Sequence, residues 1–393
     1  MHMLPTNDDF LPGRTGKIVV ISDRIDWTSS SPEELVHAPS AGQGENGGPQ
    51  VVGGYLERLP LALIAAGRFR HAEVWHHVID PRAAGETKVS AWLSRRAFPI
   101  DDTSAPYAST AMAEHFRQHG PPDLLIVYGL GVVAEVIAAA RGAVVVYNSI
   151  DAPALRVPED VSALCDIILT GAEWQAEAVR ARHPATPAPI LPVGPEFAAP
   201  DQFRPTGEDK QYDLIYVGAA QPYKRHDILF DAVERLEGRV NALCVFGYGE
   251  LAEHYRDEAQ RRSLPIDFVM PPVIPFDAVN RWMSRSRIGI VAGFDDGAPA
   301  ILTEYMLAGL PVLANAGLSC GLQYIVPETG EAAVPEAWPR TILAMLDRLD
   351  SYRPRETAIA RWGWPVSVGK FLHHYDRVRA ADAQPTPIHS SVR

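Results

Sequence analysis

Residues 213–247 read DLIYVGAAQPYKRHDILFDAVERLEGRVNALCVFG. An apolar run, DLIYVG (213–218), ends in glycine, a short loop carries Lys224 and Arg225, a helical pattern covers 226–236, and a second apolar run, ALCVFG (242–247), follows. Strand, helix, strand in succession is the unit of a parallel sheet, because parallel neighbours need a long crossover between them. The pattern continues with helix 250–262, DFVMP (267–271), helix 277–284, IGIVAG (288–293), helix 299–308 and PVLANA (311–316).

The same alternation precedes it. KIVVIS (17–22), an amphipathic stretch 49–66, AEVWHHVI (72–79) and a helix-like 108–119 are followed by LLIVYG (124–129), an Ala-rich helix 132–141, AVVVYN (143–148) and IILTG (167–171). A helix 172–182 and a strand PILPVG (189–194) complete this half, and 195–211, rich in Pro and polar residues and without periodicity, reads as a linker. The expected fold class is therefore α/β, with two doubly wound domains whose carboxyl strand ends face each other across a cleft. Boundaries fall at 1–204 and 205–365, with a final helix over 366–381 and a polar tail, 382–393, expected to be disordered.

At about 150 residues per domain, 393 residues suit two domains. The chain carries 36 Lys and Arg against 48 Asp and Glu, a net charge of -12, and both halves are acidic: 15 against 23 over residues 1–200, 21 against 25 over 201–393. Neither half offers the positive field of a nucleic-acid groove or of an anionic membrane surface. Cys165, Cys244 and Cys320 form no CxxC pair, so neither a disulfide framework nor a zinc site is suggested. No apolar run reaches the ~18–20 residues of a membrane span, and the reading is a soluble, cytoplasmic protein.

Three stretches carry chemistry. In GFDDGAPAILTEYMLAGLPVLAN (293–315) a strand ends, a glycine turn follows and a helix begins near Pro299. Gly297 permits close backbone approach, and the amides around Ala298, Pro299 and Ala300 present partial positive charge to an anion. Glu304, inside the helix about 1.5 turns on, is placed for a ribose extending from bound phosphates; the alternative is an ordinary solvated helix carboxylate. In YVGAAQPYKRHDILFDAV (216–233), Gly218 closes a strand and Lys224 and Arg225 stand where cations meet phosphate oxygens, or else form a solvated basic pair. In QGENGGPQVVGGYLERLPLALIAAG (43–67), Gly47 and Gly48 precede a helix and could expose amides to an anion, a flexible loop being the alternative, whereas Gly53 and Gly54 read as packing positions. His76 and His77, within a strand-like run, read as structural.

Together these stretches resemble the family 4 retaining glycosyltransferases, whose architecture of two facing Rossmann-like domains is called GT-B. DGAPAILTEYMLAGLPVLA is similar to that family's acidic pair with a seven-residue gap, YVGAAQPYKRHDILFDAV to its donor-diphosphate loop, VFGYGEL (245–251) to its glycine loop, and WGWPVSVGKFLHHYDRV to its closing tryptophan and final helix, which crosses back to the first domain. The first half matches more loosely, through CDIILTGAEWQAEAVR and ILPVGPEF. The resemblance implies transfer of a sugar from a nucleoside diphosphate donor with retention. It implies that Glu304 holds the ribose, Asp296 the donor sugar, Lys224 the diphosphate, and Gly47 and Gly48 the phosphates across the cleft, with Gly218, Arg225, Gly247, Gly297, Ala298, Pro299 and Ala300 lining the donor site. Lys224, Asp296 and Asp151 are the candidate catalytic residues.

The sequence departs from that pattern at three points. Asp296 stands where the family usually has Glu, and Ala219 where many members have an Arg aimed at the diphosphate. The first-domain His is replaced by a region holding Tyr128, Asn148 and Asp151, the candidate acceptor residues. No cofactor and no metal are expected beyond the nucleotide sugar as co-substrate, and the partners are that donor and a small-molecule acceptor. A sugar-nucleotide 2-epimerase on the same fold, and a catalytically impaired relative acting as a binding partner, are the competing readings.

Overall fold

The structure is a computed structural model that describes residues 16–26, 48–271 and 274–382. Elements of the first half, in chain order, are β1 (Lys17–Asp26), α1 (Arg58–Ala65), β2 (His71–Val78), β3 (Gly85–Lys88), β4 (Leu93–Pro99), α2 (Thr110–His119), β5 (Leu124–Tyr128), α3 (Ala134–Ala139), β6 (Val144–Asn148), α4 (Glu159–Ser162), β7 (Ile167–Leu169) and α5 (Glu173–Arg182). The second half holds β8 (Tyr212–Gly218), α6 (His226–Arg235), β9 (Ala242–Phe246), α7 (Ala252–Arg261), β10 (Ile266–Val269), α8 (Phe276–Ser284), β11 (Ser286–Val291), α9 (Ile301–Leu307), β12 (Val312–Asn315), β13 (Gly330–Ala333), α10 (Trp338–Asp347), α11 (Pro354–Arg361) and α12 (Trp364–Asp382).

Among the described residues, seven strands form one sheet, ordered β3-β4-β2-β1-β5-β6-β7, and six form the other, ordered β10-β9-β8-β11-β12-β13. Every pair is parallel except β3 with β4. Apart from that edge hairpin, both sheets run in doubly wound order, reversing between β1 and β5 and between β8 and β11. Burial explains the legible runs. Along β5 and β6, alternate residues enter two different cores: Leu124, Ile126, Val144 and Val146 pack beside α1, while Leu125, Val127, Val145 and Tyr147 pack beside α2 and α3. The second sheet is sandwiched likewise, Leu214 and Tyr216 facing α6 and Ile215 facing α9. The fold is thus two facing Rossmann-like domains.

Several elements depart from the sequence reading. The stretch 189–194 makes only a bridge, Thr170 with Ile190, because Pro189 and Pro192 have no N–H to give a ladder. The 49–66 helix is confined to α1, since Gly53, at φ +92°, breaks the preceding turn. The connection 195–211 is not a free tether: residues 191–199 are buried and Phe203 is fully enclosed. β3, β4, β13, α10 and α11 were not anticipated.

After α11 the chain returns to the first sheet. Val368, Phe371 and Tyr375 of α12 join the core beside α1. Lys370 donates to both oxygens of the buried Glu196 at 3.0 and 3.1 Å, and Ser367 also bonds that carboxylate. Burial nonetheless raises the Glu196 carboxyl above its ordinary value. The 383–393 tail lies outside the described residues.

Candidate functional site between the two sheets

The β8/β11 switch point of the second sheet faces the β1–α1 connection and the end of β6 in the first across a cavity of about 390 Å³, within the range of small-ligand sites. The second sheet contributes the ends of β8 and β11. At the end of β8, Val217, Gly218 and Ala219 line the cavity, and Pro222–Lys224 makes a single tight turn. Arg225 then takes a left-handed φ of +53°. That reversal separates the two cations. Lys224 enters the cavity and pairs with the Asp296 carboxylate, its ammonium 4.9 Å from the Tyr223 ring centroid. Burial works against its charge, but Asp296, Tyr223 and Tyr216 outweigh burial and hold its pKa above the ordinary lysine value.

Arg225, expected at the donor, instead grips Asp227 through bonds of 2.9 and 2.7 Å and covers the Phe294 ring. It does not line the cavity. Likewise the Asp295–Asp296 pair splits: Asp295 is exposed beside Ser319 at 3.3 Å, and only Asp296 faces inward. Gly297, Ala298, Pro299, Ala300 and Glu304 line the wall beyond it, and Gly247 and Tyr248 close the far side.

Glu304 is 8% exposed and meets a cation that the sequence reading missed. Arg58, the first residue of α1 and 1% exposed, pairs with the Glu304 carboxylate. Its other guanidinium nitrogens donate to the carbonyls of Gly53 at 2.9 Å and Gly194 at 3.2 Å, and it stacks 5.6 Å from the Phe203 centroid. A charged residue inside the apolar run GGYLERLPLALIAAG was the available signal, since a buried cation needs a partner. Tyr55, Gly54, Ile150 and Tyr248 were also missed and also line the cavity.

The first-sheet candidates divide. Asn148, at the end of β6, lines the cavity and donates to the Leu169 carbonyl at 2.9 Å. Asp151 does not: its carboxylate is turned to Arg156, because Ile150 adopts φ +58° and breaks the extended path from the strand. Tyr128 is fully buried, edge-on to Tyr55 at 5.3 Å, and burial pushes its hydroxyl far above the ordinary tyrosine value; it packs in the core and does not line the cavity. Gly48 does not line the cavity, whereas Gly54 does, so the first-half glycine at the cleft is Gly54. Gly47 lies outside the described residues. His76 and His77 sit on β2 away from the cavity, with pKa values pushed down by burial to about 3 and about 4.

Residues 199–348 match the family model of glycosyl transferases group 1. No curated protein matches the chain by sequence. Among solved structures, sucrose-phosphate synthase from Thermosynechococcus elongatus is similar over 93% of this chain and 99% of its own, with 18% identity and a TM-score of 0.66. An α,α-trehalose 6-phosphate synthase from Burkholderia multivorans is similar over 93% and 100%, with 13% identity and a TM-score of 0.60. A glycosyltransferase involved in avilamycin A biosynthesis is similar over 93% and 98%, with 16% identity and a TM-score of 0.58. At such identities the likeness establishes the fold, GT-B. With the family match on the second domain, it supports a glycosyltransferase that takes its sugar from a nucleotide sugar. Among the described residues, no helix is long and apolar enough to cross a membrane.

Proposed function

We propose that this chain is a retaining glycosyltransferase of the family 4 type, cytoplasmic, moving a sugar from a nucleoside diphosphate donor to a small soluble acceptor without a divalent metal. The observation that carries this reading is the pairing of Lys224 with Asp296 on one side of the cavity and the Glu304 carboxylate deeper along the same wall. Lys224 meets the diphosphate, whose charge grows as the glycosidic bond breaks, and Asp296 takes hydroxyls of the departing sugar. Glu304 takes the ribose, and the backbone of 297–300 faces the phosphates. With Arg225 turned away and Ala219 unable to help, Lys224 is the lysine or arginine among the cavity-lining residues of the second sheet, which makes it the principal counter-charge.

The acceptor enters from the first-sheet side, between Tyr55, Asn148 and Ile150. A natural-product acceptor is in keeping with the likeness to the avilamycin A enzyme, though that likeness is one of fold. The test is a thermal-shift screen of nucleoside diphosphates and their sugars, followed by transfer to an acceptor panel with the anomeric configuration read by NMR. An inverted product would refute retention, and release of free nucleotide only with an added acceptor would count against a 2-epimerase. Among the described residues, the cavity lining contains no histidine, and this favours, as a second reading, a relative that binds donor without turnover. Donor binding with no product across the whole panel would establish it.

A further inference from the structure

Arg58 is fixed from four directions at once. Its fork meets the carbonyl before α1, the carbonyl of Gly194 after β7, and Glu304 on α9, while Phe203 of the connecting segment covers its face. The residue is therefore held by both domains, and its Glu304 contact spans 246 positions of sequence. Among the described residues, that contact engages one oxygen of the Glu304 side chain, and no hydrogen bond reaches the other.

We propose that Arg58 is a positioning residue for the donor's ribose: it commits one Glu304 oxygen to its guanidinium and presents the other to the ribose hydroxyls. This rests on the assignment of Glu304 to the ribose. A carboxylate on an α-helix has freedom about its side-chain bonds, and a planar fork that is itself anchored at two carbonyls removes it. Because the anchors belong to the first domain and the carboxylate to the second, the hydroxyl-reading geometry exists only while the two domains stand as they do here. Arg58, itself on the cavity wall, thereby makes ribose recognition depend on the interdomain arrangement through the Glu304 carboxylate.

The experiment measures ribose selectivity rather than affinity alone. Calorimetry compares the nucleoside diphosphate (of uridine, guanosine or adenosine) that the wild type binds most tightly with its 2′,3′-dideoxy analogue. Loss of a hydrogen bond to a charged group makes the wild type prefer the ribose form by about tenfold or more. Arg58→Met and Arg58→Lys are expected to bring that ratio within about threefold of unity while leaving the dideoxy affinity within about threefold of wild type, since they remove no phosphate contact. Should Arg58→Met fail to fold because Glu304 is left unpaired, Arg58→Lys, which keeps the charge and loses the fork, carries the test.

Equal losses for both ligands would place Arg58 at the phosphates or in the general fold and overturn the proposal, as would undiminished selectivity in Arg58→Lys. A Glu304→Gln variant separates the underlying assignment: full ribose selectivity in it, or none in the wild type, refutes the ribose role of Glu304 whatever Arg58 does.

Discussion

Replacing Lys224 with alanine is expected to reduce turnover far more than donor affinity, for a reason visible in the unliganded cleft. Lys224 is already paired with Asp296, their side chains 17% and 14% exposed. A donor diphosphate thus gains in the ground state only the difference between sharing that cation and leaving it where it is. In the transition state the leaving diphosphate carries more charge, and the balance moves toward it. Removing one preorganised group of this kind lowers kcat by ~10²–10³-fold, about 2.7–4 kcal/mol.

The variant has a second effect, because it leaves the Asp296 carboxylate facing an anion. Two like charges about 4 Å apart repel by about 1 kcal/mol in a water-filled cleft, so donor affinity falls several-fold as well. The Lys224→Ala/Asp296→Asn double variant separates the two: donor affinity recovers, turnover does not. Steady-state kinetics and calorimetry on the wild type and both variants provide the measurement. A kcat within a few-fold of wild type, or a double variant with restored turnover, would refute the placement of Lys224 at the leaving group.

Three further outcomes follow from the same geometry. Asp151→Asn should transfer at wild-type rate, its carboxylate being engaged by Arg156 outside the cavity, whereas Asn148→Ala should impair transfer and, through the lost bond to Leu169, lower stability by ~1 kcal/mol; initial rates at saturating donor decide between the two sites. On the proposed reading, in which Lys224 and the backbone at 297–300 meet the diphosphate, transfer should persist after exhaustive EDTA treatment, and a loss that Mg²⁺ or Mn²⁺ restores would make Asp296 a metal ligand instead. His226 is fully buried, stacked 4.3 Å from the Tyr216 ring, and burial, with Lys224 nearby, pushes its pKa down to about 3; the unfolded chain binds this proton near 6.5, so the stability it confers is complete above that pH and is lost as pH falls toward 3. Urea midpoints measured from pH 7 to 4 should therefore drop less steeply for His226→Phe than for the wild type.

What could be read in the sequence was what is local. The strands buried on both faces, such as Val144–Asn148, are continuous apolar runs that need no partner to be seen. β4 was invisible because Arg95 and Arg96 stand mid-strand, satisfied by Glu57, Glu73 and Glu86 from elsewhere in the chain. The wall of the cleft at 293–304 was legible for the same local reason, being one strand end, one turn and one helix start. Arg58 was not, since its partner is 246 residues away. Arg225 and Asp151 were misplaced by single backbone reversals, at Arg225 itself and at Ile150; a left-handed φ at a non-glycine residue has no sequence signature.

Those reversals belong with a third, Ala298 at φ +98°, and the three lie in loops at the cleft where the domains meet. Such conformations cost of the order of 1–3 kcal/mol each and persist only where the surroundings over-determine them. Here the surroundings are backbone pressed on backbone. A Cβ on Gly297 would stand 2.3 Å from the Ile150 carbonyl oxygen, and one on Gly171 would stand 2.6 Å from that of Gly297. Gly297, read from the sequence as a point of close backbone approach, lets the loop after β11 press against the loop after β6. This contact sets Asp296, and Lys224 paired with it, at a fixed distance from Asn148 and Ile150 across the cavity. The register between the two sides of the cavity is thus held by main-chain atoms and by the Arg58–Glu304 pair together, and side chains around the rim can vary without disturbing it.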